Sequence, residues 1–489
     1  GVLRVTFDPR IMIWNDEFTD AGRRRLGYGL TGDTVGGRYI PVIARLEQNV
    51  RTASQNVLAA SGIPNFVASL GAGLLSVHQE RRTYPVTAEL GVTPRLAVSV
   101  MVPFIRVATR RALQLASRGA NLGLNPRYTG AAAESTYKAF FTQFDSTLAR
   151  LQQNIAAGQY GCAGGARCPA RDSLALWQTV DSALKTAVYG VAQVNAPFLP
   201  VDSSTGGRGI DTTVARIQRD LANGFGVSGF GATFLLPHDT VNATTLTQTI
   251  YDSVLGFGYN YLPFRSSFHW GIGDVELGAK YRLVTSDHYA VALKGLVRLP
   301  TTSPHDSADD LLGVPVANRE FDLEAQLTQE LSAGPLWLNV AVRAGAPRRS
   351  TRVRRVAPND AFLVPAAATA TLDWTPGDYV GVDVAPLVRL ARTFSAGCTV
   401  GYWTKARDHY AFQSATDSAA LATRLGAPTS PSVLEPGTSE RRLRLGVAAT
   451  YRGPVVEGGF SIEQTVSGAA RVPGVTVYRL VMRLVQKLF

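Results

Sequence analysis

The sequence predicts an all-β protein, a transmembrane antiparallel β-barrel of the outer-membrane type, with about twelve strands and a large external helical insertion. Three observations carry this. Segments of about ten residues alternate polar and apolar side chains. The connections between them alternate short and long. No apolar run of about 18 residues exists from which a membrane-spanning helix could form.

The clearest segment is 274–283. Asp274, Glu276, Gly278, Lys280 and Arg282 fall on one face; Val275, Leu277, Ala279, Tyr281 and Leu283 fall on the other. Successive strand side chains point to opposite faces, so one side is charged and the other oily. The pattern recurs at 289–299, 320–331, 336–344 and 442–451. It recurs in the last strand, where Arg479 and Arg483 oppose Tyr478, Leu480 and Met482. The charged faces nominate a lumen constriction of Asp274, Glu276, Lys280, Arg282, Lys294, Arg298, Asp322, Glu324, Arg343, Arg444, Arg479 and Arg483. Twelve strands lie between filled eight-strand barrels and wide porins, so long side chains reach across the interior. Such a set either stiffens the wall through ion pairs or orients a permeant molecule.

Strands are expected near 2–13, 78–92, 96–110, 271–284, 288–300, 320–332, 336–346, 379–391, 396–411, 440–452, 455–467 and 475–489. The Gly-rich stretch 225–236 leaves fourteen open. Long connections fall at 15–76, 112–270, 301–319, 347–378 and 412–439, with a shorter one at 468–474. Short turns fall at 93–95, 286–288, 333–335, 393–395 and 452–454. Outer-membrane barrels keep short turns in the periplasm, which places both chain ends there. Residues 1–489 form one barrel domain, with 112–270 as an external insertion inside it.

Within that insertion the period changes to helical. Phe140, Phe144, Leu148, Leu151 and Ile155 stripe one helix at 131–157, and Leu176, Val180, Leu184 and Val188 another at 172–194. Asp172 or Ser173 is expected to cap the second. Shorter helices are expected near 40–52, 211–222 and 244–255. Cys162 and Cys168, six positions apart between the two long helices, suit a local disulfide in an oxidising compartment, the alternative being two free thiols. Cys398 reads as a packed strand residue.

The net charge of +12 does not indicate nucleic acid, because the arginines are scattered rather than clustered with stacking aromatics. The dense run Arg348, Arg349, Arg352, Arg354 and Arg355 either meets anionic lipopolysaccharide or forms a solvated loop. No catalytic set is found. His269 has Ser266 and Ser267 nearby without an amide partner, and no HExxH, GxSxG or P-loop occurs. His305, Asp306, Asp309 and Asp310 offer oxygen ligands for Ca²⁺ but lack EF-hand spacing, so a solvated acidic loop is the preferred reading. Neither a metal nor a cofactor is expected. The opening residues Val2 to Phe7 already read as a strand, as in a mature chain whose export signal has been removed. Phe489 on the final strand is similar to the terminal aromatic read by the barrel-assembly machinery.

The segments GIGDVELGAKYRL (271–283) and GVTPRLAVSVMVPF (91–104) resemble the outer-membrane channel family associated with phenol-degradation (MetA-pathway) operons, FadL-like in kind. The resemblance covers mainly 77–110 and 271–300. It implies passive uptake of small molecules, hydrophobic or aromatic ones among them. The helical insertion is outside the family pattern and is expected to gate or cap the mouth. The competing expectation is a closed structural barrel that binds lipopolysaccharide or partners through its loops.

Overall fold

A computed structural model describes residues 2–63, 65–162, 168–259, 266–302 and 308–487. Twelve strands close into one antiparallel cylinder. The first, β1, has two segments, Val2–Phe7 and Arg10–Trp14. There follow β2 (Ala72–Gly91), β3 (Leu96–Ala116) and β4, again in two segments (Ser267–Ile272 and Val275–Thr285). Then come β5 (Tyr289–Leu299), β6 (Asp322–Ala333), β7 (Leu336–Pro347) and β8 (Tyr379–Arg389). The last four are β9 (Phe394–Lys405), β10 (Arg441–Arg452), β11 (Val456–Ala469) and β12 (Thr476–Lys487). Each strand pairs with the next, and β12 pairs with β1 from Val2 opposite Lys487 to Ile13 opposite Thr476. Closure removes the unpaired edge that would otherwise expose backbone N–H and C=O groups.

The outer face is oily. Val98, Val100, Leu277, Leu293, Val400, Leu445, Val447, Phe460, Leu480 and Leu484 are all exposed. So much exposed apolar surface has lipid as its natural solvent. Tyr281, Tyr402, Tyr451 and Tyr478 join it, in keeping with interfacial aromatics. Cys398 lies exposed on the same face of β9 rather than packed.

Several boundaries differ from expectation. β2 and β3 run about twice the length needed to cross hydrocarbon and project beyond it as a long hairpin. β9 stops at Lys405; His409–Phe412 instead pairs with an external strand, Thr369–Thr375, which also pairs with Ser350–Arg355. Residues 225–236 form no strand, because Phe230 and Phe234 are drawn into an aromatic helical core, each ring 5.2 Å from Phe140.

That core belongs to a cap on the side of the long connections. It contains α1 (Pro41–Ala60), α2 (Ala131–Ala156), α3 (Pro169–Tyr189), α4 (Thr205–Arg219) and α5 (Ala243–Tyr251). A sixth helix, α6 (Ala415–Leu425), was not anticipated, although Ser414 caps it by accepting from the Asp417 N–H. Cys162 and Cys168 form a disulfide between α2 and α3. The α3 cap is Cys168, whose sulfur accepts from the Arg171 N–H at 3.4 Å, rather than Asp172 or Ser173. Pro169 at the first helical position fixes that start. Tyr137, Phe140, Phe144 and Leu151 of α2 share one buried cluster with Leu184 and Val188 of α3. Trp14, Leu75 and Val77 on the upper barrel wall belong to the same cluster.

The wall is interrupted at one level across four adjacent strands. β1 breaks at Asp8-Pro9, Pro85 of β2 stands opposite Pro103 of β3, and β4 breaks at Gly273-Asp274. Proline has no N–H to give the ladder. The surviving bonds run from Asp8 N–H to Pro85 O (3.2 Å) and from Gly273 N–H to Pro103 O (2.8 Å). The β4 break also shifts its phase by one residue, so Ile272 and Val275 both face outward.

Two predictions follow from lipid facing and cap burial. Val447→Arg, in the middle of β10, should cost about 2–4 kcal/mol, the penalty for a cation at the bilayer midplane; refolding into lipid vesicles across a urea series measures it. In the cap, Asp181 is 7% exposed. Burial pushes its carboxyl up to about 6, against the pull of Lys185 at 2.6 Å and with added repulsion from Asp145. Folded Asp181 then holds a proton between pH about 6 and 3.8 where the unfolded chain does not, so cap stability rises as pH falls through that window. Amide exchange over 169–189 should be slower at pH 5 than at pH 7 after correction for intrinsic rates, and Asp181→Asn should flatten the difference.

Candidate functional site: the barrel lumen

Strand alternation fixes which side chains enter the lumen, and register fixes which of them meet. Glu276, Arg298 and Asp322 stand side by side on β4, β5 and β6. Arg298 donates to Glu276 at 2.8 Å and to Asp322 at 2.7 Å. The Tyr379 hydroxyl lies 2.8 Å from Asp322 and 2.5 Å from Glu324, extending the cluster to β8. A second cluster centres on Asp383, which pairs with Arg444 at 3.0 Å and Arg343 at 3.5 Å. Arg444 reaches Glu463 at 3.2 Å. A third lies at the closing seam. There Arg479 makes two bonds to Asp8, at 2.7 and 2.8 Å, and Arg10 reaches the same carboxylate at 2.5 Å. Arg483 pairs with Glu457 at 3.0 Å.

Ten of the twelve nominated lumen residues therefore line the wall, and the other two do different things. Asp274, at the β4 break, is buried; it accepts from the Thr302 hydroxyl at 2.8 Å and the Arg319 N–H at 2.9 Å. It thereby ties down both ends of the connection between β5 and β6. The backbone N–H of Arg282 bonds the Arg95 carbonyl, so Arg282 sits beside the short turn at the barrel's far end. Lys280 and Lys294 face the interior opposite one another, with no ion pair among the described residues.

Sequence reading missed the contribution of inward-facing glycines. A Cβ at Gly345 would collide with the Tyr379 ring, and one at Gly401 would lie 2.7 Å from the Asp383 carboxylate. Glycine in a strand interior marks close approach of a neighbour, and that signal was present.

The outer half of the lumen is occupied. The connection between β5 and β6 folds into the mouth, where inward-facing side chains of β2 and β3 hold it. Gln79 donates to the Leu312 carbonyl at 2.6 Å and Arg81 to the Val316 carbonyl at 2.9 Å. Arg111 pairs with Asp310 at 2.9 Å with both side chains fully buried. Asp309 reaches Arg355 at 3.3 Å, so both described carboxylates of the candidate calcium loop serve arginines; His305 and Asp306 lie outside the described residues. Among the described residues no group of His, Cys, Asp and Glu is arranged to hold a metal. Arg355 is buried and donates to the carbonyls of Phe257, Gly258, Ala308 and Val364, at 2.5–2.8 Å, tying three connections together. Its guanidinium also sits 3.7 Å above the Tyr259 ring. Arg352 and Arg354 share the external strand with Arg355, Arg352 being stacked on Trp374 at 4.1 Å, while Arg348 precedes the strand and is exposed.

A depression of about 960 Å³ lies elsewhere, on the oily outer wall, where Ala279, Gly295, Ala325 and Ala344 stand opposite one another.

No family model and no curated protein matches the sequence. Solved structures do show likeness. The COG4313 outer membrane channel from Pseudomonas putida F1 aligns over 99% of this chain and 96% of its own, at 5% identity and TM-score 0.42. The translocator domain of autotransporter NalP from Neisseria meningitidis aligns over 99% and 88%, at 6% identity and TM-score 0.32. The Pseudomonas putida toluene transporter TodX aligns over 100% and 89%, at 9% identity and TM-score 0.27.

Arg298→Gln should remove the cation shared by Glu276 and Asp322, whose side chain is 1% exposed, leaving Asp322 the Tyr379 hydroxyl. Breaking a fully buried pair costs about 3–5 kcal/mol; because Arg298 keeps 27% exposure, solvent screening reduces the expected loss to about 2 kcal/mol. Urea unfolding at pH 7 checks this.

Proposed function

We propose that this chain is an outer-membrane channel for the passive passage of small molecules, closed at its outer mouth by the cap and by the in-folded connection. The short turns and both termini then lie in the periplasm, and the barrel-assembly machinery inserts the chain. The observation that carries the reading is the state of the interior at the level of Lys280. That side chain points inward and is exposed, two residues from Arg282 beside the short turn, so the lumen is open to solvent at that end. Above it, the space is shut by the cap and the in-folded connection, which belong to the long connections and not to the cylinder. The permeants in this reading are small hydrophobic or aromatic molecules, and the chain acts by permeation rather than catalysis.

The second reading, a closed barrel working through its surface, draws support from the three ion clusters and from Arg348. Arg348 follows β7 in the lipid-facing phase, where a lipopolysaccharide phosphate would meet it.

Planar-bilayer recording separates the two. The intact chain should show small or rare conductance, and deletion of 131–195 should raise it several-fold. A deletion variant that still forms a heat-modifiable barrel, yet conducts no better than the parent, would sink the channel reading.

A further inference from the structure

Many inward charges of the barrel are neutralised in place, and against them one matched pair stands out. Lys280 of β4 and Lys294 of β5 are directly opposite in the ladder. Like charges in that position repel and weaken a sheet. The carboxylates that might relieve them are committed elsewhere. Glu89 pairs with Arg4 at 3.0 Å, Glu276 and Asp322 with Arg298, and Glu324 with the Tyr379 hydroxyl.

The same register row continues through Gln326, Arg343, Gly381, Trp403 and Arg442. Arg442 stacks on Trp403 at 4.3 Å. One row of the lumen therefore carries four cations, of which Arg343 is paired, with Asp383 beside it. The wall is shaped to keep Lys294 there: a Cβ at Gly278 would come within 2.9 Å of its Cε. Lys280 is exposed to the interior. On the inward face the pair is flanked by Ala97, Ala292 and Leu296, which offer apolar contact, and by the Gln326 amide opposite Lys294.

We propose that Lys280 and Lys294 form a binding station for a small organic anion, a carboxylate on an apolar body, and that the lumen selects anions on this account. Opposed residues of an antiparallel pair stand about 5 Å apart at Cα, which puts one carboxylate within reach of both long side chains. The flanking Ala and Leu side chains receive the hydrocarbon part. The unfavourable lysine pairing is relieved when the anion arrives, which makes binding here moderate and exchange quick, as passage requires. This rests on the channel reading given above and narrows it to a chemical class.

The test uses the full-length protein and two independent readouts. Under a tenfold KCl gradient in a planar bilayer, the reversal potential should report chloride preferred over potassium by a few-fold. In Lys280→Gln/Lys294→Gln the preference should vanish, and benzoate should cease to block the current. In detergent, saturation-transfer NMR should show benzoate bound by the parent and at least about tenfold less by the double variant. The variant should fold as well as the parent, since a repulsion has been removed; heat-modifiable migration checks this. Cation preference in the parent, or equal benzoate binding by parent and variant, overturns the proposal. Inorganic phosphate bound as well as benzoate overturns its organic part. Benzoate binding without any conductance leaves the station standing and removes the channel.

Discussion

A peptide group placed in hydrocarbon has no water to bond with, so each N–H and C=O of a membrane-crossing strand must find its partner in a neighbouring strand. Everything else in this molecule is arranged around that demand. It forces the sheet to close, with β12 meeting β1. Closure in turn forces every strand to present alternate residues to lipid and to the interior. Once Leu277, Leu293, Val447 and Leu480 are assigned to the lipid, their neighbours have no choice but the lumen. The charged interior is thus a by-product of the oily exterior, and its chemistry is then refined by register.

Refinement takes the form of pairing. Arg298 between Glu276 and Asp322, Arg444 between Asp383 and Glu463, and Arg479 on Asp8 each place opposite charges within reach across the ladder. Inward glycines make the room. Against this background of local neutrality a lysine pair without a carboxylate is conspicuous. Above it the barrel is closed by packing, as the aromatic core of α2 continues into Trp14, Leu75 and Val77 of the wall, and by the buried Arg111–Asp310 pair.

The strand pattern was legible because period-two alternation is a property of adjacent residues. It located the twelve strands and the phase of the last one, where Tyr478, Leu480 and Met482 face out. Partnership was less legible. That Arg298 meets Asp322, or that Tyr379 joins them, depends on register between strands, which no single segment encodes. Long-range capture defeated the reading twice more. The stretch 225–236 alternates like a strand but lost Phe230 and Phe234 to a helix nearly a hundred residues earlier. The arginine run looked like a surface patch, yet Arg355 is buried among three connections. A missed helix, α6, had its Ser414 cap in plain view.

The seam has one more implication, for how the molecule is made. Asp8 and Arg479 are 471 positions apart, and the β1–β12 pairing is as non-local as a contact in this chain can be. Such pairings are entropically expensive to reach and slow to form. Until β12 is in place, the growing sheet is an open ribbon with a naked rim at each side, prone to join with whatever strand is at hand. Hairpins such as β2–β3 can assemble early, but the ring can be sewn shut only at the end. The Asp8 carboxylate, gripped by two arginines, is then the clasp that distinguishes a finished cylinder from an unfinished one.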